Sequence, residues 1–454
     1  MKKKLALLLA GMMALSSLTA CGSGASTGSA QENSAQEETQ ASSEETASES
    51  EGETAAEADA ADYSGTLEVW SWTTDPEYQI EAFEKAYPGV KVNFTLIGTD
   101  YDTKMQTIVD NRTEGPDVFY ADVKTVKNYI ESDAWENLSA DPYNADTSDL
   151  EDYTVTLASD DEGNLRAMTY QATPGGFWYK RDLAQKYLGT DDPDEISEML
   201  STMDGVLEVA ETIKTQSGGA THMFASYKDI WQFANYGMRT TPWVQDGKFQ
   251  MDEYVSEFFD VAKLIRDNGY DAKIDTWSEA WYASCADDSV FGYVEPTWGL
   301  QYVIMTGAPE SEGNWGIASM PAAYFNGGSY LGIYQESQNK DLAWLYVNFV
   351  CNNDEFLTQY AQDKGDYTGK KSVNAAIAES GYEESWCAGQ NTFEFFSSQM
   401  DKINTSLVTK YDDTIGNLLL NNVDLYLNGQ LDKETAIQQF KDDVASNYRR
   451  LDVE

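Results

Sequence analysis

Residues 65–122 read GTLEVWSWTTDPEYQIEAFEKAYPGVKVNFTLIGTDYDTKMQTIVDNRTEGPDVFYAD and alternate between two hydrophobic patterns. Short apolar runs are typical of strands, and apolar residues spaced three and four apart are typical of helices. The strand-like runs are 66–71, 90–97 and 117–121, and the helical runs are 75–87 and 101–111. This βαβαβ order predicts a parallel sheet with helices on its faces. Ligands of such sheets bind beyond the carboxyl ends of the strands, which places residues 71–73 and 121–122 at a candidate site.

The same alternation continues to the end of the chain, so we expect an α/β protein without internal repeats. Further strands are predicted at 176–179, 290–294, 315–319 and 331–334. Further helices are predicted at 180–188, 195–215, 252–268, 340–351, 413–428 and 433–451.

The first 62 residues have a different composition from the rest. Three lysines precede the apolar run 5–15, which is too short to span a bilayer and is typical of a secretory signal peptide over residues 1–20. Leu18-Thr19-Ala20-Cys21 resembles a bacterial lipobox, which implies that Cys21 is lipidated and becomes the mature N-terminus. Residues 22–62 contain eleven acids and no aromatic or large aliphatic residue, so we expect residues 21–62 to be a disordered tether.

Charge excludes one large class of function. The chain has 77 acidic and 30 basic residues, for a formal charge of −47. Without the three signal lysines and the eleven acids of the tether, residues 63–454 still carry −39. Such a protein repels phosphate backbones, so we expect no nucleic-acid partner.

Few side chains of the sequence suit a metal or redox site. The single histidine, His222, cannot build a site that needs several histidines, and we expect it to be structural and the protein to bind neither metal nor cofactor. Beyond Cys21, the odd number of cysteines (Cys285, Cys351 and Cys387) leaves open whether one disulfide forms.

Aromatic residues give the second functional signal. The chain contains 12 Trp and 28 Tyr against 17 Phe, and many of them stand beside polar residues in predicted loops. Trp and Tyr suit half-exposed surfaces because each combines an apolar ring with a polar group. A pyranose ring has one apolar face and a rim of hydroxyls, so these aromatics as a group favour a sugar ligand.

Four stretches of the sequence resemble a known protein family. The stretches Gly65-Thr-Leu-Glu-Val-Trp-Ser-Trp72, Gly115-Pro-Asp-Val-Phe119, Gly176-Phe-Trp-Tyr-Lys-Arg-Asp-Leu183 and Gly292-Tyr-Val-Glu-Pro-Thr-Trp298 are similar to family 1 extracellular solute-binding proteins, the maltose-binding-like receptors of ABC importers. The resemblance implies a two-lobed, periplasmic-binding-protein-like fold with discontinuous lobes and a ligand cleft at the hinge. It places the first lobe at 63–173 plus 330–380 and the second at 174–329 plus 381–454, with chain crossings near 172–175 and 327–331.

The resemblance also implies the function and the binding residues. We expect a non-catalytic, monomeric carbohydrate receptor that closes around an oligosaccharide and delivers it to an ABC permease. We expect the lipid anchor to hold it on the extracellular face of the cell membrane of a Gram-positive bacterium. The residues carried over as ligand-binding are Trp72, Asp75, Asp122, Trp178, Trp231, Trp243, Glu295, Trp298, Gly327, Gly328 and Tyr411.

Two other functions fit the same composition. A secreted glycoside hydrolase would also be rich in aromatics, and Glu295 with Asp122 could serve as its two carboxyl groups, although plain hydroxyl recognition accounts for both residues. The same fold could instead hold a polyamine or another cation through cation–π contacts. Both alternatives stay open at the level of sequence.

Overall fold

The computed structural model describes residues 63–453, which form ten strands and sixteen α-helices. The strands are β1 Gly65–Ser71, β2 Val90–Leu96, β3 Val118–Asp122, β4 Met168–Thr169, β5 Gly175–Lys180, β6 Val244–Gln245, β7 Lys248–Phe249, β8 Gly292–Pro296, β9 Trp315–Ala318 and β10 Ser329–Ile333. The helices are α1 Asp75–Ala86, α2 Tyr101–Asn111, α3 Val123–Glu131, α4 Asp152–Ala158, α5 Arg181–Tyr187, α6 Pro193–Met199, α7 Met203–Ser217, α8 Lys228–Gly237, α9 Glu253–Asn268, α10 Glu279–Cys285, α11 Lys340–Asn352, α12 Asp354–Lys364, α13 Lys371–Glu379, α14 Thr392–Met400, α15 Asp412–Leu427 and α16 Lys433–Asn447. A π-helix, Leu300–Met305, follows β8, and a short 3₁₀ helix spans Ser385–Cys387.

The first sheet has the strand order β2-β1-β3-β10-β4. β1 pairs in parallel with β2 and β3, so the predicted βαβαβ arrangement is confirmed. In β1 the side chains of Leu67, Val69 and Ser71 are buried while their neighbours are more exposed, as expected for a strand that covers a core with one face. β10 joins the far side of β3 in antiparallel orientation, with Ser329 opposite Asp122 and Ile333 opposite Val118.

The second sheet has the order β8-β5-β9, and all its pairings are antiparallel. Every residue of β5 is buried, because its two faces belong to two different cores. Phe177 and Tyr179 pack into the core beneath α7, α8 and α9, whereas Trp178 packs into the core that surrounds the first sheet. The central strand of this sheet is therefore covered on both sides.

The chain passes between the two sheets twice, once from β4 to β5 and once from β9 to β10. The two crossing segments lie side by side: Pro174 and Phe325 form an antiparallel bridge, and the Asn326 amide donates to the Thr173 carbonyl at 3.2 Å. The complete lobe boundaries stay a prediction.

One predicted helix is two helices. The periodicity of 195–215 suggested a single helix, but α6 ends at Met199 and α7 begins after Thr202. The Thr202 hydroxyl oxygen accepts from the Gly205 amide at 3.1 Å, so it caps the new helix. The apolar spacing continues across the break because both helices pack on the same core.

Several predictions fall on residues that the structure does not describe. The signal peptide 1–20, the lipidated Cys21 and the tether up to residue 62 all lie outside the described residues. Within residues 63–453, no helix combines the length and the apolar character needed to cross a membrane.

Candidate functional site

A cavity of about 390 Å³ lies where the ends of the two sheets meet. Asp122 and the first turn of α3 bring one wall from the first sheet, and Glu295 at the end of β8 brings another from the second. α8 and the start of α15 complete the enclosure, and Gly327 of the second crossing segment also lines it. The cavity is therefore built from segments that are distant in sequence and belong to both sheets.

Three tryptophans line this cavity at increasing exposure. Trp231 on α8 is 6% exposed, Trp298 is half-buried, and Trp277 is 53% exposed. The rings of Trp277 and Trp298 are stacked, with centroids 5.8 Å apart and planes 23° apart. The indole nitrogen of Trp298 donates to the Asn326 carbonyl at 3.0 Å, which fixes its ring against the second crossing segment. Together these indoles form an aromatic wall, which we define as Trp231, Trp298 and Trp277.

The first cavity also contains buried polar atoms that have no hydrogen-bond partner among the described residues. Glu295 is 5% exposed, and its Oε2 atom accepts no hydrogen bond from the described residues. The same holds for Oδ1 of Asn235, which lines the same cavity from α8. A buried acceptor without a donor costs about 1–3 kcal/mol, so buried polar atoms normally have partners. Two such acceptors beside an aromatic wall suit a ligand that carries both hydroxyls and apolar faces.

Charges around the cavity are nearly balanced, unlike those of the chain as a whole. Four carboxyl groups line it together with three lysine amino groups. The acids are Asp122, Glu295, Asp412 and Asp413, and the lysines are Lys124, Lys127 and Lys228. This balance favours an uncharged ligand over a cation.

Burial changes the acidity of the carboxyl groups at and below the cavity. Desolvation raises the pKa of Glu295 well above its ordinary value, and the nearby Asp229 carboxylate raises it further. Desolvation also raises the pKa of Asp229 to about 7, even though the Ala225 and Ser226 amides donate to it. For Asp412, burial raises the pKa to about 6. Burial therefore holds the carboxyl groups of Glu295, Asp229 and Asp412 closer to their neutral forms than water would.

Asp229 makes the stability of the ligand-free protein depend on pH. Because its folded pKa lies above that of the unfolded chain, the folded state binds the proton more tightly, and this contribution to stability is lost as pH rises from about 4 to about 7. The side chain of Asp229→Asn cannot ionise, so the variant does not lose this contribution. The free energy of unfolding of the variant minus that of the wild type should therefore increase by up to about 1.4 kcal/mol per pH unit over this window. Urea unfolding at pH 5, 6, 7 and 8 measures the difference. Asp442→Asn, at an exposed carboxylate on α16, is the control and should show a flat difference. A flat difference for Asp229→Asn as well would contradict the assignment.

A second cavity, of about 330 Å³, lies on the other side of Trp298. Asp75 lines it from the start of α1, and the Tyr302 hydroxyl of the π-helix donates to the Asp75 carboxylate at 2.5 Å. Its floor holds Asp366, which accepts hydrogen bonds from Gln171 at 3.0 Å and from Tyr360 at 2.8 Å. Trp298 lines both cavities and lies between them.

The structure brings together six of the residues predicted from the sequence. These residues surround the first cavity, apart from Asp75, which lines the second: Asp75, Asp122, Trp231, Glu295, Trp298 and Gly327. Gly327 has φ +70° and approaches Trp298 so closely that a Cβ atom would lie 3.0 Å from the indole nitrogen, so glycine suits this position on both counts. That these residues bind ligand stays a prediction.

The other five predicted residues lie elsewhere. Trp178 and Trp243 are 1% and 0% exposed and pack within the cores, where Trp178 donates to the Glu295 carbonyl at 3.0 Å and so supports β8 from behind. Trp72 packs on Tyr101, with ring centroids 5.6 Å apart. Gly328 accepts from the Val123 amide at 3.0 Å through its carbonyl. Tyr411 lines a third cavity, beside Tyr448.

Most residues of the first cavity were not among the predictions, and they include Asn235, Tyr236, Trp277 and Asp412. Trp277 belonged to the aromatic group that suggested a sugar, but the sequence did not separate it from the buried tryptophans. Tyr236 stacks on Phe325 with centroids 4.9 Å apart, a pairing between segments that no local pattern reveals.

The histidine and the three cysteines of residues 63–453 do not line the first cavity. This part of the chain contains no group of three or more His, Cys, Asp or Glu side chains placed to hold a metal ion. His222 lies against the Gly269 carbonyl, with Nδ1 and the oxygen 2.8 Å apart. Cys285, Cys351 and Cys387 are all buried free thiols.

Comparison with known proteins identifies the family. Residues 79–385 match the family described as bacterial extracellular solute-binding protein, which is more than half of the chain. A crystal structure of an extracellular solute-binding protein of family 1 superposes with a TM-score of 0.74 at 16% identity and covers 83% of this chain and 97% of its own. The ABC transporter associated binding protein of B. animalis subsp. lactis, in complex with β-1,6-galactobiose, gives 0.69 at 18% identity and covers 85% and 98%. The GacH receptor of Streptomyces glaucescens, studied with acarbose, gives 0.68 at 18% identity and covers 86% and 100%.

These superpositions cover nearly the whole of each relative and confirm the two-lobed, periplasmic-binding-protein-like fold. The two sheets are the centres of its lobes, and the first cavity lies in the cleft between them. The chain belongs to the family of bacterial extracellular solute-binding proteins.

Proposed function

We propose that this chain is the carbohydrate receptor of an ABC importer and binds a neutral oligosaccharide without changing it chemically. The observation that carries the proposal is the pairing of the aromatic wall with unpartnered acceptors on Glu295 and Asn235 in one cavity. The indoles offer flat apolar surface to the carbon–hydrogen faces of a pyranose. The buried acceptors would gain from hydroxyl groups the donors that they lack within the protein.

Related receptors support this class of ligand. The relatives from B. animalis and S. glaucescens were studied in complex with β-1,6-galactobiose and with acarbose, and that of Bifidobacterium longum with lacto-N-biose. Three lysines among four acids in the first cavity argue against a polyamine, which would meet amino groups of its own sign. Glu295 and Asp122 need only accept hydroxyl groups in this proposal, so no bond of the sugar is broken.

The same proposal includes closure, delivery and anchoring. The paired crossing segments around Thr173 and Asn326 are the natural hinge, because they are the short connections that lead from one sheet to the other. Closure of the lobes would present the loaded form to the permease. The lipobox-like sequence ending at Cys21 supports a lipid anchor on the extracellular face of the membrane, with residues 22–62 as the tether.

A thermal-shift screen tests the proposal with the purified protein. Because a ligand of the folded state raises the unfolding temperature by mass action, at least one neutral oligosaccharide should raise it, whereas spermidine should not. Binding of the sugar should change little between 50 mM and 500 mM NaCl, since no ion pair is formed. A shift with spermidine alone would replace sugar with a cation as the ligand. New reducing ends after long incubation would show a hydrolase instead.

A further inference from the structure

The third cavity differs in charge from the rest of the protein. It has a volume of about 520 Å³ and lies between α3, the start of α15 and the turn that follows α16. Four acidic residues line the first cavity and three line the second, whereas no Asp or Glu is among the described residues that line the third. Its lining includes Lys410, Arg449 and Arg450 instead. Three cations in one cavity are unexpected in a chain whose residues 63–454 carry a net charge of −39.

Two of these three cations have no partner in the described part of the chain. The side chains of Arg449 and Arg450 are exposed and form no hydrogen bond, ion pair or ring contact with another described residue. Lys410, in contrast, forms an ion pair with Glu131 of α3. The charge of Glu131 offsets one of the three cations, so two positive charges remain at the cavity.

Backbone hydrogen bonds hold the segment that carries the two arginines. Before the end of the chain, the Leu451 amide donates to the Tyr448 carbonyl at 2.9 Å. The Asp452 amide donates to the Gly247 carbonyl at 3.0 Å, and the Phe249 amide donates to the Asp452 carbonyl at 2.9 Å. These bonds tie the segment to α16 on one side and to the β6–β7 hairpin on the other, so the backbone of both arginines has a fixed position beside the cavity.

Aromatic and neutral polar side chains lie next to the cations. Tyr411 and Tyr448 both line the cavity, with ring centroids 5.0 Å apart and planes 85° apart. Asn128 and Thr414 add an amide and a hydroxyl group. The cavity therefore offers positive charge to an anionic group, and rings and neutral polar groups to the remainder of a small organic molecule.

We propose that the third cavity is a second binding site of this protein, for a small organic molecule that carries a phosphate or a carboxylate group. The guanidinium group binds both anions through paired, charge-assisted hydrogen bonds, which are stronger than hydrogen bonds between neutral groups. The acidic surface elsewhere does not prevent this, because exposed charges more than about 10 Å apart are largely screened at 0.1 M salt. The third cavity shares no lining residue with the first two, so the proposal does not rest on the carbohydrate function.

The first test compares three probes of similar size in Tris buffer, by thermal shift and by isothermal titration calorimetry. Glucose 6-phosphate, glucuronate and glucose share a pyranose ring and differ in charge. At least one of the two anions should raise the unfolding temperature above the value reached with glucose at the same ionic strength. This difference should decrease strongly between 50 mM and 500 mM NaCl, because the bound group is charged. The relative affinities of the two anions then show whether phosphate or carboxylate is preferred.

The second test removes the two unpartnered cations. Arg449→Gln combined with Arg450→Gln should weaken binding of the anion by at least about tenfold, which is 1.4 kcal/mol. Its unfolding temperature without ligand should equal that of the wild type, because neither arginine side chain contacts another described residue. The control is Lys85→Gln combined with Lys402→Gln, which changes the net charge equally at two exposed lysines outside the cavity. The control should bind the anion as the wild type does.

Three results would each overturn the proposal. The first is an unfolding temperature that neither anion raises above the value with glucose. The second is unchanged anion binding by the double arginine variant, which would place the anion elsewhere, for example in the first cavity. The third is an equal loss of binding in the double lysine control, which would show an effect of net charge and not of this cavity.

A loss of anion binding in the double arginine variant alone, at an unchanged unfolding temperature, would support the proposal.

Discussion

Trp298→Ala is expected to weaken sugar binding by about 30- to 1000-fold, the largest effect of a single substitution in the cleft. Trp298 lines both cavities, so its removal takes away apolar surface on two sides of the ligand at once. It also releases the stacked partner Trp277, whose ring would lose its support. Loss of a central aromatic residue typically costs about 2–4 kcal/mol in binding, which corresponds to this range. Isothermal titration calorimetry with the sugar identified by the thermal-shift screen measures it.

The matched control for this substitution is Trp344→Ala. Trp344 is half-buried on α11, packs on Tyr143 with ring centroids 5.6 Å apart, and lines neither cavity. It should lose some stability but bind the sugar as the wild type does. Equal affinity of Trp298→Ala and the wild type would place the ligand elsewhere and refute the proposed site.

Lys180→Met is expected to lower the free energy of unfolding by about 3–5 kcal/mol, the largest expected effect on stability, because three carbonyl groups would each lose a donor. Lys180 ends β5 and is 4% exposed. Its ammonium group donates to the carbonyl oxygens of Ser284, Asp287 and Val290 at 2.7, 2.5 and 2.8 Å. Desolvation lowers the pKa of this lysine to about 8, and without the side chain the three carbonyl groups lose their shared donor. Urea unfolding at pH 7 measures the change.

Lys180 also matters for the cleft, because the three carbonyl groups belong to the segment that leads into β8 and Glu295. We therefore expect Lys180→Met to bind sugar more weakly as well as to unfold more easily. Lys186→Met, at an exposed lysine on α5, is the control and should change stability by less than about 0.5 kcal/mol. If the two variants unfold at the same urea concentration, the three carbonyl contacts do not contribute as described.

The order of strands and helices could be predicted from sequence wherever apolar spacing was regular. β1, α1, β2, α2 and β3 lie within one or two residues of their predicted positions, because each covers one core with a repeating face. The break between α6 and α7 was missed, since apolar spacing continues through it and only the cap at Thr202 marks it. The antiparallel pairing of β10 with β3 could not be predicted from the sequence either. The alternation of apolar and polar residues along a strand identifies its buried face but not the strand with which it pairs.

The candidate site was harder to predict than the fold. Trp178, Trp243 and Trp277 have similar sequence surroundings of aromatic and polar residues. Trp178 and Trp243 are buried by residues far along the chain. Phe396 contacts Trp178 and Phe440 contacts Trp243, at ring-centroid distances of 6.1 and 5.8 Å. Asp122 was predicted from its place at the end of β3, because ligands of parallel sheets bind beyond the carboxyl ends of the strands, and it lines the first cavity. Glu295 also lines it, but it was carried over from the family resemblance.

The position of β10 in the first sheet sets the order in which the protein can assemble. β10 lies between β3 and β4, yet the whole second sheet is encoded between β4 and β10. A chain that is being synthesised therefore exposes the unpaired backbone edge of β3 until residues 329–333 are available. Contacts so distant in sequence make folding slow. A fragment that ends after β4 would lack the strand that joins β3 to β4, so completion of the first sheet depends on chain encoded after the whole second sheet.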